Sequence, residues 1–380
     1  MQRHASDPEA FAVSGRCQAV DISLIVNTFQ KPRHLALVLA SIAAQEGIAG
    51  RFEVIVTDDG STDDTHDIVQ KQAATEQFPL RFTTQPHDGF RLARIRNNGA
   101  RLAVGNSLLF LDGDCILPRD HVAAYLKRRR RGVAHLGYCA RLSADISACL
   151  TIHQLANTDL LGLSPAAERR ALRRRWRKAW WHNTLRHPSK PPLAGGNFCV
   201  WRDDFERLNG FDERFVGWGQ EDDDLGLRLR ALGIRLESIL DDTHSLHVWH
   251  PSDPSATKRW RDGPNVHYFL RRGRLTICRH GLNVRPVNAL RWGLPPDIGQ
   301  TPAGQNLLHA LNGCQLVHAD EPCEIDVVVR PGVGRFHRRS ECRLLLLTEN
   351  AVAKWNLRRC ADRIETIQDQ SVERLLETIG

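Results

Sequence analysis

Apolar residues in the first third of the chain fall into short continuous runs separated by stretches of helical spacing. Residues 21–27 (DISLIVN) form a compact apolar run, the pattern of a strand covered on both faces. Residues 31–44 then carry apolar positions at helical spacing, with Pro32 where a helix would begin. Residues 52–56 form a second buried run ending in Asp58-Asp59-Gly60-Ser61, and a further helical pattern continues through Ala73. Residues 80–83 read as a third strand, 92–104 as helix, and 107–111 as a strand that ends in Asp112-Gly113-Asp114. This alternation predicts an α/β fold with a doubly wound, mostly parallel sheet flanked by helices. Ligands in such sheets sit beyond the carboxyl ends of strands, where both acidic turns fall.

Downstream, residues 141–192 read as mostly helical and basic. The glycine turn Ala194-Gly195-Gly196 precedes a short apolar segment at 197–201. The dense stretch NGFDERFVGWGQEDDDLGLRLRALG (209–233) follows, with helical spacing over 223–232 closed by Gly233. Residues 234–240 suit a strand, and LHVWHP (246–251) comes next. Proline and glycine gather over 286–304 as in a linker. Beyond it, 324–330 and 343–347 are strand-like and 371–379 helix-like. The organisation expected is a loose leader (1–20), one α/β domain (21–282, with halves 21–118 and 119–282), and a linker with a C-terminal region (283–380).

Composition narrows the classes. A chain of 380 residues with 42% hydrophobic and 25% charged positions is not wholesale disordered. No apolar run approaches the roughly 18–20 residues that span a bilayer, and MQRHASDPEAF lacks the apolar core of a signal peptide. The ten cysteines are scattered without a CxxC pair, which suits reduced thiols and a cytoplasmic location. The net charge of +8 is uneven. Residues 127–131 read KRRRR, and nine basic residues lie from Arg169 to Lys190, interleaved with Trp176, Trp180 and Trp181. Such runs are solvated helix faces or attract something anionic: a membrane surface, a phosphorylated substrate or nucleic acid. Trp176 and Trp180 share a helical face, and a tryptophan stripe flanked by arginines suits interfacial docking.

The candidate chemistry is carboxylate chemistry. Asp112-Gly113-Asp114 puts two acids on one tight turn, suited to a hard divalent cation shared with substrate phosphates, although such a turn is also ordinary loop chemistry. Glu221, Asp222, Asp223 and Asp224 repel one another, yet core-like residues flank them. Part of the run is therefore expected near a cleft, where a carboxylate can act as general base. His247 and His250 follow a strand; with the diacid turn they make a mixed oxygen and nitrogen site for Mn²⁺ reasonable.

Together these residues resemble the family-2 glycosyltransferases with the GT-A fold. VNTFQKPRHLALVLASIAAQ is similar to the family's first strand and helix, VTDDGSTDDT to its nucleotide-binding turn, and FLDGDCILP to its Asp-x-Asp metal turn. GGNFCVWRDDFERLNGFDERFVGWGQEDDDLGLRL resembles the C-terminal signature shared with galactosyltransferases and chondroitin-type polymerases. HDGFRLARIRNNGARLA and LHVWHP are similar to a bacterial branch that builds surface polysaccharide. The likeness runs from about Ile22 to about Leu282; 283–380 matches nothing recognised.

The resemblance implies a role for each matching residue. Asp59 would hydrogen-bond the uracil of a UDP-sugar donor, with Thr28 in the same pocket and Arg91 and Arg94 near the diphosphate. Asp112 would reach the ribose and metal waters. Asp114 would bind Mn²⁺ or Mg²⁺ directly, with His247 and, more weakly, His250 completing the shell. Asp222 would be the base, Glu221 and Asp223 would hold acceptor hydroxyls, and Trp218 would stack on a sugar. Transfer would be a single inverting displacement onto a saccharide or lipid-linked acceptor, at the inner face of an anionic membrane engaged by Arg169 to Lys190. No nucleic-acid partner is expected. The other class of reading is a non-catalytic α/β module that binds sugar nucleotides or anionic polymers.

Overall fold

The computed structural model describes residues 9–14, 20–155, 159–251, 261–271, 273–296, 298–300, 302–317, 321–330, 340–347 and 360–366. The chain forms two compact units, Met1–Phe269 and Leu270–Gly380, dividing ahead of the position near 282 that the sequence pattern suggests.

In the first unit the strands are β1 (Glu9–Ser14), β2 (Ile22–Thr28), β3 (Phe52–Asp58), β4 (Leu80–Thr84), β5 (Ser107–Asp112), β6 (Cys115–Ile116), β7 (Val133–Leu136), β8 (Cys139–Arg141), β9 (Asn197–Trp201), β10 (Arg235–Ser238) and β11 (Ser245–His247). The helices are α1 (Pro32–Ala43), α2 (Thr65–Ala73), α3 (Leu92–Leu102), α4 (His121–Arg128), α5 (Ala144–Cys149), α6 (Ile152–Leu155), α7 (Ala166–Thr184), α8 (Arg202–Arg207), α9 (Glu221–Ala231) and α10 (Pro264–Phe269). Eight strands make the main sheet in the order β1-β4-β3-β2-β5-β9-β7-β10. The four from β4 to β5 are parallel, whereas β9 runs antiparallel to both β5 and β7. Leu24, Ile25, Val54, Ile55, Leu109 and Phe110 are fully buried. Successive residues of a strand point to opposite faces, so both faces of the sheet are covered, which is why these strands read as unbroken apolar runs.

The leader is not loose throughout. Glu9–Ser14 pairs antiparallel with β4, closing an edge whose backbone groups would otherwise stay unpaired. A second sheet, β6-β11-β8, sits where β5 ends. It pairs His247 with Cys115 and Leu246 with Ile116, bringing a distant histidine beside the Asp112–Asp114 turn. Helix α9 ends as its sequence predicts: Leu232 caps it and Gly233 follows at φ 86°, where a side chain would be strained.

The second unit has its own five-stranded parallel sheet. Its strands are β12 (Arg291–Gly293), β13 (Gln315–Val317), β14 (Ile325–Arg330), β15 (Cys342–Leu347) and β16 (Arg363–Thr366), ordered β13-β12-β14-β15-β16, with α11 (Pro302–Ala310) after β12. The stretch that reads as a linker, 286–304, therefore contributes to a core. Leu290 and Trp292 are fully buried in one cluster with Leu307, Val327 and Leu344. Strand β12 is three residues long, too short to show a period among the prolines and glycines around it. The helix-like residues 371–379 lie outside the described residues.

Candidate active site

At the carboxyl ends of β2 and β3, the two aspartates of one turn have different duties. Asp58 is consumed by the turn: its Oδ2 accepts from the Gly60 and Ser61 amides and the Thr84 hydroxyl, and its Oδ1 from the Ser61 hydroxyl. Asp59 is buried, with Oδ1 accepting from Gln85 Nε2 at 2.7 Å and Oδ2 from the Arg91 amide at 3.1 Å. Burial pushes its pKa up, against the lowering effect of those bonds. The Asp59 amide donates to the Thr28 carbonyl, and Thr28 Oγ1 is a buried hydroxyl without a partner among the described residues. Thr28, Asp59 and Arg91 thus gather in one pocket. Gln85, His87 and Phe29 complete it, His87 stacking on Phe29 at 4.3 Å; none of the three stands out in the sequence. The Arg91 guanidinium pairs with Asp88, and Arg94 lies half-buried on α3.

The Asp112–Asp114 turn closes against β2, the Gly113 amide donating to the Asn27 carbonyl at 2.8 Å. A Cβ on Gly113 would stand 2.6 Å from that carbonyl oxygen, so the middle position must be glycine. Asp114 Oδ2 lies 3.2 Å from His250 Nε2, and Asp114 Oδ1 lies 3.7 Å from His247 Nε2. One carboxylate and two imidazoles therefore present donor atoms within 4.8 Å of one another. This oxygen and nitrogen set fits a borderline divalent ion. A second feature supports the fit: Lys31 Nζ sits 2.9 Å from Asp114 Oδ2 and 2.8 Å from His250 Nε2, so an ammonium already fills a place built for positive charge. Despite its burial, Asp114 is held well below the usual carboxylate range by its bond to His250 and by the charges of Lys31 and His247. His250 is raised by its bond to Asp114, while burial lowers His247. Lys31 is invisible in the sequence as a site residue, because it precedes α1 and meets Asp114 only through the fold.

The four-acid run opens α9, and its members separate. Asp224 is structural: fully buried, it pairs at 2.7 Å with Arg228, whose other nitrogens donate to the Leu208 and Gly210 carbonyls. Asp222 instead accepts from Arg96 Nη1 at 2.8 Å. Arg96 is buried within α3, and its Nη2 lies 3.3 Å from Asp112 Oδ1, with Nη1 3.6 Å from Glu221. A single guanidinium thereby bridges the Asp112 turn and the acids of α9. Burial raises the pKa of Asp222 against the pull of Arg96. Burial, then the charge of Asp222, pushes Glu221 up to about 8, and one of its carboxyl oxygens has no partner among the described residues. Asp223 rises to about 6, again from burial first. The glycine turn makes room for all this: a Cβ on Gly195 would meet Asp222 Oδ2 at 2.0 Å, and one on Gly196 would meet Asp112 Oδ2 at 2.0 Å. Within RLARIRNNGA nothing in the sequence marks Arg96 for this role, since an arginine at helical spacing reads as a solvated face.

Trp218 lies ahead of α9, 40% exposed, and stacks on Phe90 at 5.2 Å with the rings 11° apart. Asn265 fixes this loop by donating to the Trp218 and Gly219 carbonyls while its own carbonyl accepts from the Val216 amide.

The tryptophan stripe of α7 does not stay together. Trp176 is half-buried against Ala140, Leu172 and Leu240, whereas Trp180 and Trp181 are 51% and 56% exposed. Trp176 is thus packing, because the helix lays that face on its neighbours, and only the later two are available to a surface.

Residues 23–144 match the profile of glycosyl transferase family 2, and residues 183–250 match that of the N-terminal domain of galactosyltransferase. Together the two matches cover the Asp59 pocket, the Asp112–Asp114 turn, the α9 acids and both histidines. Over residues 23–144 the sequence is that of a family-2 glycosyltransferase, and the unit that carries those residues has a mixed α/β fold with a mostly parallel central sheet. It is 31% identical over 228 residues to validoxylamine A glucosyltransferase of Streptomyces hygroscopicus subsp. jinggangensis, covering 56% of this chain and 52% of that one. It is 29% identical over 262 residues to hyaluronan synthase of Pasteurella multocida, covering 66% and 26%. The chain thus spans about half the length of the first relative and about a quarter of the second. Among solved structures, the mannosyltransferase PcManGT from Pyrobaculum calidifontis, in complex with GDP-Man and Mn²⁺, aligns with a TM-score of 0.45 at 20% identity over 63% of this chain and 59% of that one. Among the described residues no helix is long and apolar enough to cross a membrane.

Proposed function

We propose that the protein is an inverting glycosyltransferase that moves a sugar from a UDP-linked donor to a saccharide or lipid-linked acceptor in cell-surface polysaccharide synthesis, working in the cytoplasm at the inner face of the membrane. The observation that carries this reading is the Arg96 bridge. It holds Asp112, on the donor turn, and Asp222, on α9, to one buried guanidinium, so the donor turn and a base share one site.

In this reading Asp59 and Thr28 receive the base of the nucleotide, and Arg91 and Arg94 lie toward its diphosphate. Asp114, His247 and His250 would hold Mn²⁺ or Mg²⁺, which when bound offsets the charge on the leaving diphosphate. Lys31 must then move aside or share that charge. Asp222 takes the proton from the acceptor hydroxyl as its oxygen attacks the anomeric carbon opposite the leaving group, which inverts the configuration with one base and no enzymic nucleophile. Burial supports this role by raising the Asp222 pKa toward neutrality, and Arg96 keeps the carboxylate ionised and aimed. Glu221 and Asp223, with Trp218, flank the acceptor side. The outer face of α7 supplies the membrane contact, through Arg170, Arg173, Arg177 and Trp181, which helical spacing puts on one exposed stripe.

A panel of UDP-sugars tested for hydrolysis and transfer with Mn²⁺ present or chelated tests the reading. Turnover should depend on the metal, Asp114→Ala should behave like chelation, and Asp222→Asn should lower the rate about 100-fold or more with donor affinity nearly unchanged. Full activity in excess EDTA, or an Asp222→Asn enzyme as fast as wild type, would overturn it. Donor binding without any turnover would favour the non-catalytic module.

A further inference from the structure

Beside the candidate base, and belonging to none of the groups above, lies a cavity of about 310 Å³ between α7, the ends of β7 and β10, and residues 190–194. That is at the small end of the range for small-molecule sites. Its lining is of two kinds. Leu136, Ala179 and Leu240 are buried and form the apolar interior. Arg174, Lys178 and Lys190 are exposed and form a cationic mouth, and none of the three takes part in an ion pair among the described residues. His182 also lines it, with a buried Nδ1 that has no hydrogen-bond partner among the described residues. Its pKa is lowered by burial, then by His187, Lys178, Lys190 and Arg230, the mark of gathered positive charge, against which Asp223 stands within electrostatic reach of Lys190 alone among these. The cavity also adjoins the chemistry. Ala194 lines it, and the next residue, Gly195, donates its amide to Asp222.

An apolar interior behind a cationic mouth is complementary to a molecule with both an apolar and an anionic part. We infer that this cavity is an acceptor subsite for an amphipathic phosphate, a phosphate carried on hydrocarbon, with the phosphate between Arg174, Lys178 and His182 and the start of the hydrocarbon against Leu136, Ala179 and Leu240. The inference rests on the glycosyltransferase reading and names the acceptor class for that same site: a sugar attached to such a phosphate would be presented across Ala194 toward Asp222.

The test is calorimetric titration with farnesyl monophosphate in EDTA, so that the metal turn contributes nothing, with farnesol and inorganic phosphate as separate arms. Farnesyl monophosphate should bind at least about tenfold more tightly than either, and Arg174→Ser with Lys178→Ser should weaken it by about tenfold, the worth of one charge-assisted contact. Inorganic phosphate binding equally well would reduce the site to a bare anion site, and farnesol binding equally well to a bare apolar cleft; either overturns the inference, as does a double variant with unchanged affinity. Hydrolysis of UDP-sugar, measured in parallel, separates the two readings. A protein that hydrolyses donor but ignores farnesyl monophosphate keeps the function and loses the subsite. One that binds it but never turns over donor does the reverse.

Discussion

Two basic runs that look alike in the sequence have opposite fates. In 127–131, every arginine finds a carboxylate: Arg128 pairs with Asp241 and Asp242, Arg129 with Asp21, Arg130 with Glu237 and Arg131 with Asp203. Arg129 and Arg131 also cover the ring of Trp201. On α7, Arg170, Arg173, Arg174, Arg177 and Lys178 have no ion-pair partner among the described residues, and Arg175 lies 3.7 Å over the Tyr138 ring. The arginines of the first run are neutralised from within and fasten the end of α4 and the residues after it to their neighbours. The second leaves its charge for something outside the chain. A run of positive residues is therefore not a signal by itself, and its meaning lies in what the fold brings opposite it.

Arg96 is the extreme of the paired kind, and removing it gives the largest expected effect. Arg96→Met would leave Asp112, Glu221 and Asp222 facing one another without their common cation. Breaking one side of a buried ion cluster costs about 3–5 kcal/mol, so denaturant unfolding should show a large loss of stability and turnover should fall about 100-fold or more. Arg96→Lys keeps the charge but not the fork that reaches two acids at once, and should fold better than it turns over. An Arg96→Met protein as stable and active as wild type would break the comparison at its strongest point.

The unpaired kind should show itself at a surface. Each basic residue near an anionic membrane is worth about 1 kcal/mol, fading over a Debye length. Vesicles rich in anionic lipid should therefore sediment with the protein at low salt and release it at high salt. Arg170, Arg173 and Arg177 changed together to Glu should abolish the association without touching the cavity-lining Arg174 and Lys178. Wild type that ignores such vesicles at low salt would leave the cavity as the remaining use for the charge of α7.

A third measurement follows the acids that Arg96 gathers. The pKa of Glu221 is raised from 4.5 to about 8. The folded state therefore holds a proton that the unfolded state has lost between those two values, and stability contributed by this group falls as pH rises through that window. Glu221→Gln should flatten the decline of the melting temperature between about pH 4.5 and 8, and a variant that declines as steeply as wild type would show that Glu221 is not the group responsible.

The smallest effect is the direct contrast between the two runs. Arg129→Ala removes a half-buried pair with Asp21 and should cost about 0.5–1 kcal/mol, whereas Arg173→Ala should leave stability within about 0.5 kcal/mol of wild type. Equal losses would mean that pairing does not distinguish them.

Strands covered on both faces announced themselves as apolar runs, and the turns that follow them are acidic and glycine-bearing for reasons of local geometry. That is why the α/β order and the acidic turns at 58–59 and 112–114 could be read directly, whereas Asp59 and Asp222 are picked out from their acidic neighbours by the family resemblance. The edge strand Glu9–Ser14 and the three-residue β12 could not, because each owes its conformation to a neighbouring strand rather than to a period of its own. Asp58 and Asp224 show the same limit at the level of single residues. Each sits beside a candidate of identical type, and only hydrogen bonding shows that Asp58 is tied into its turn and Asp224 into a pair with Arg228.

The sequence by itself determined the alternation of strands and helices from β2 to β5, the places where the chain turns at the carboxyl ends of those strands, and the family that the motifs resemble, since all of these depend on residues near one another along the chain. Only the tertiary structure decided which charges meet. Lys31 reaches Asp114 and His250, Arg96 joins Asp112 to Asp222, and the cations of α7 form no ion pair among the described residues, because attraction between charges depends on distance through space and on burial, neither of which the order of residues records.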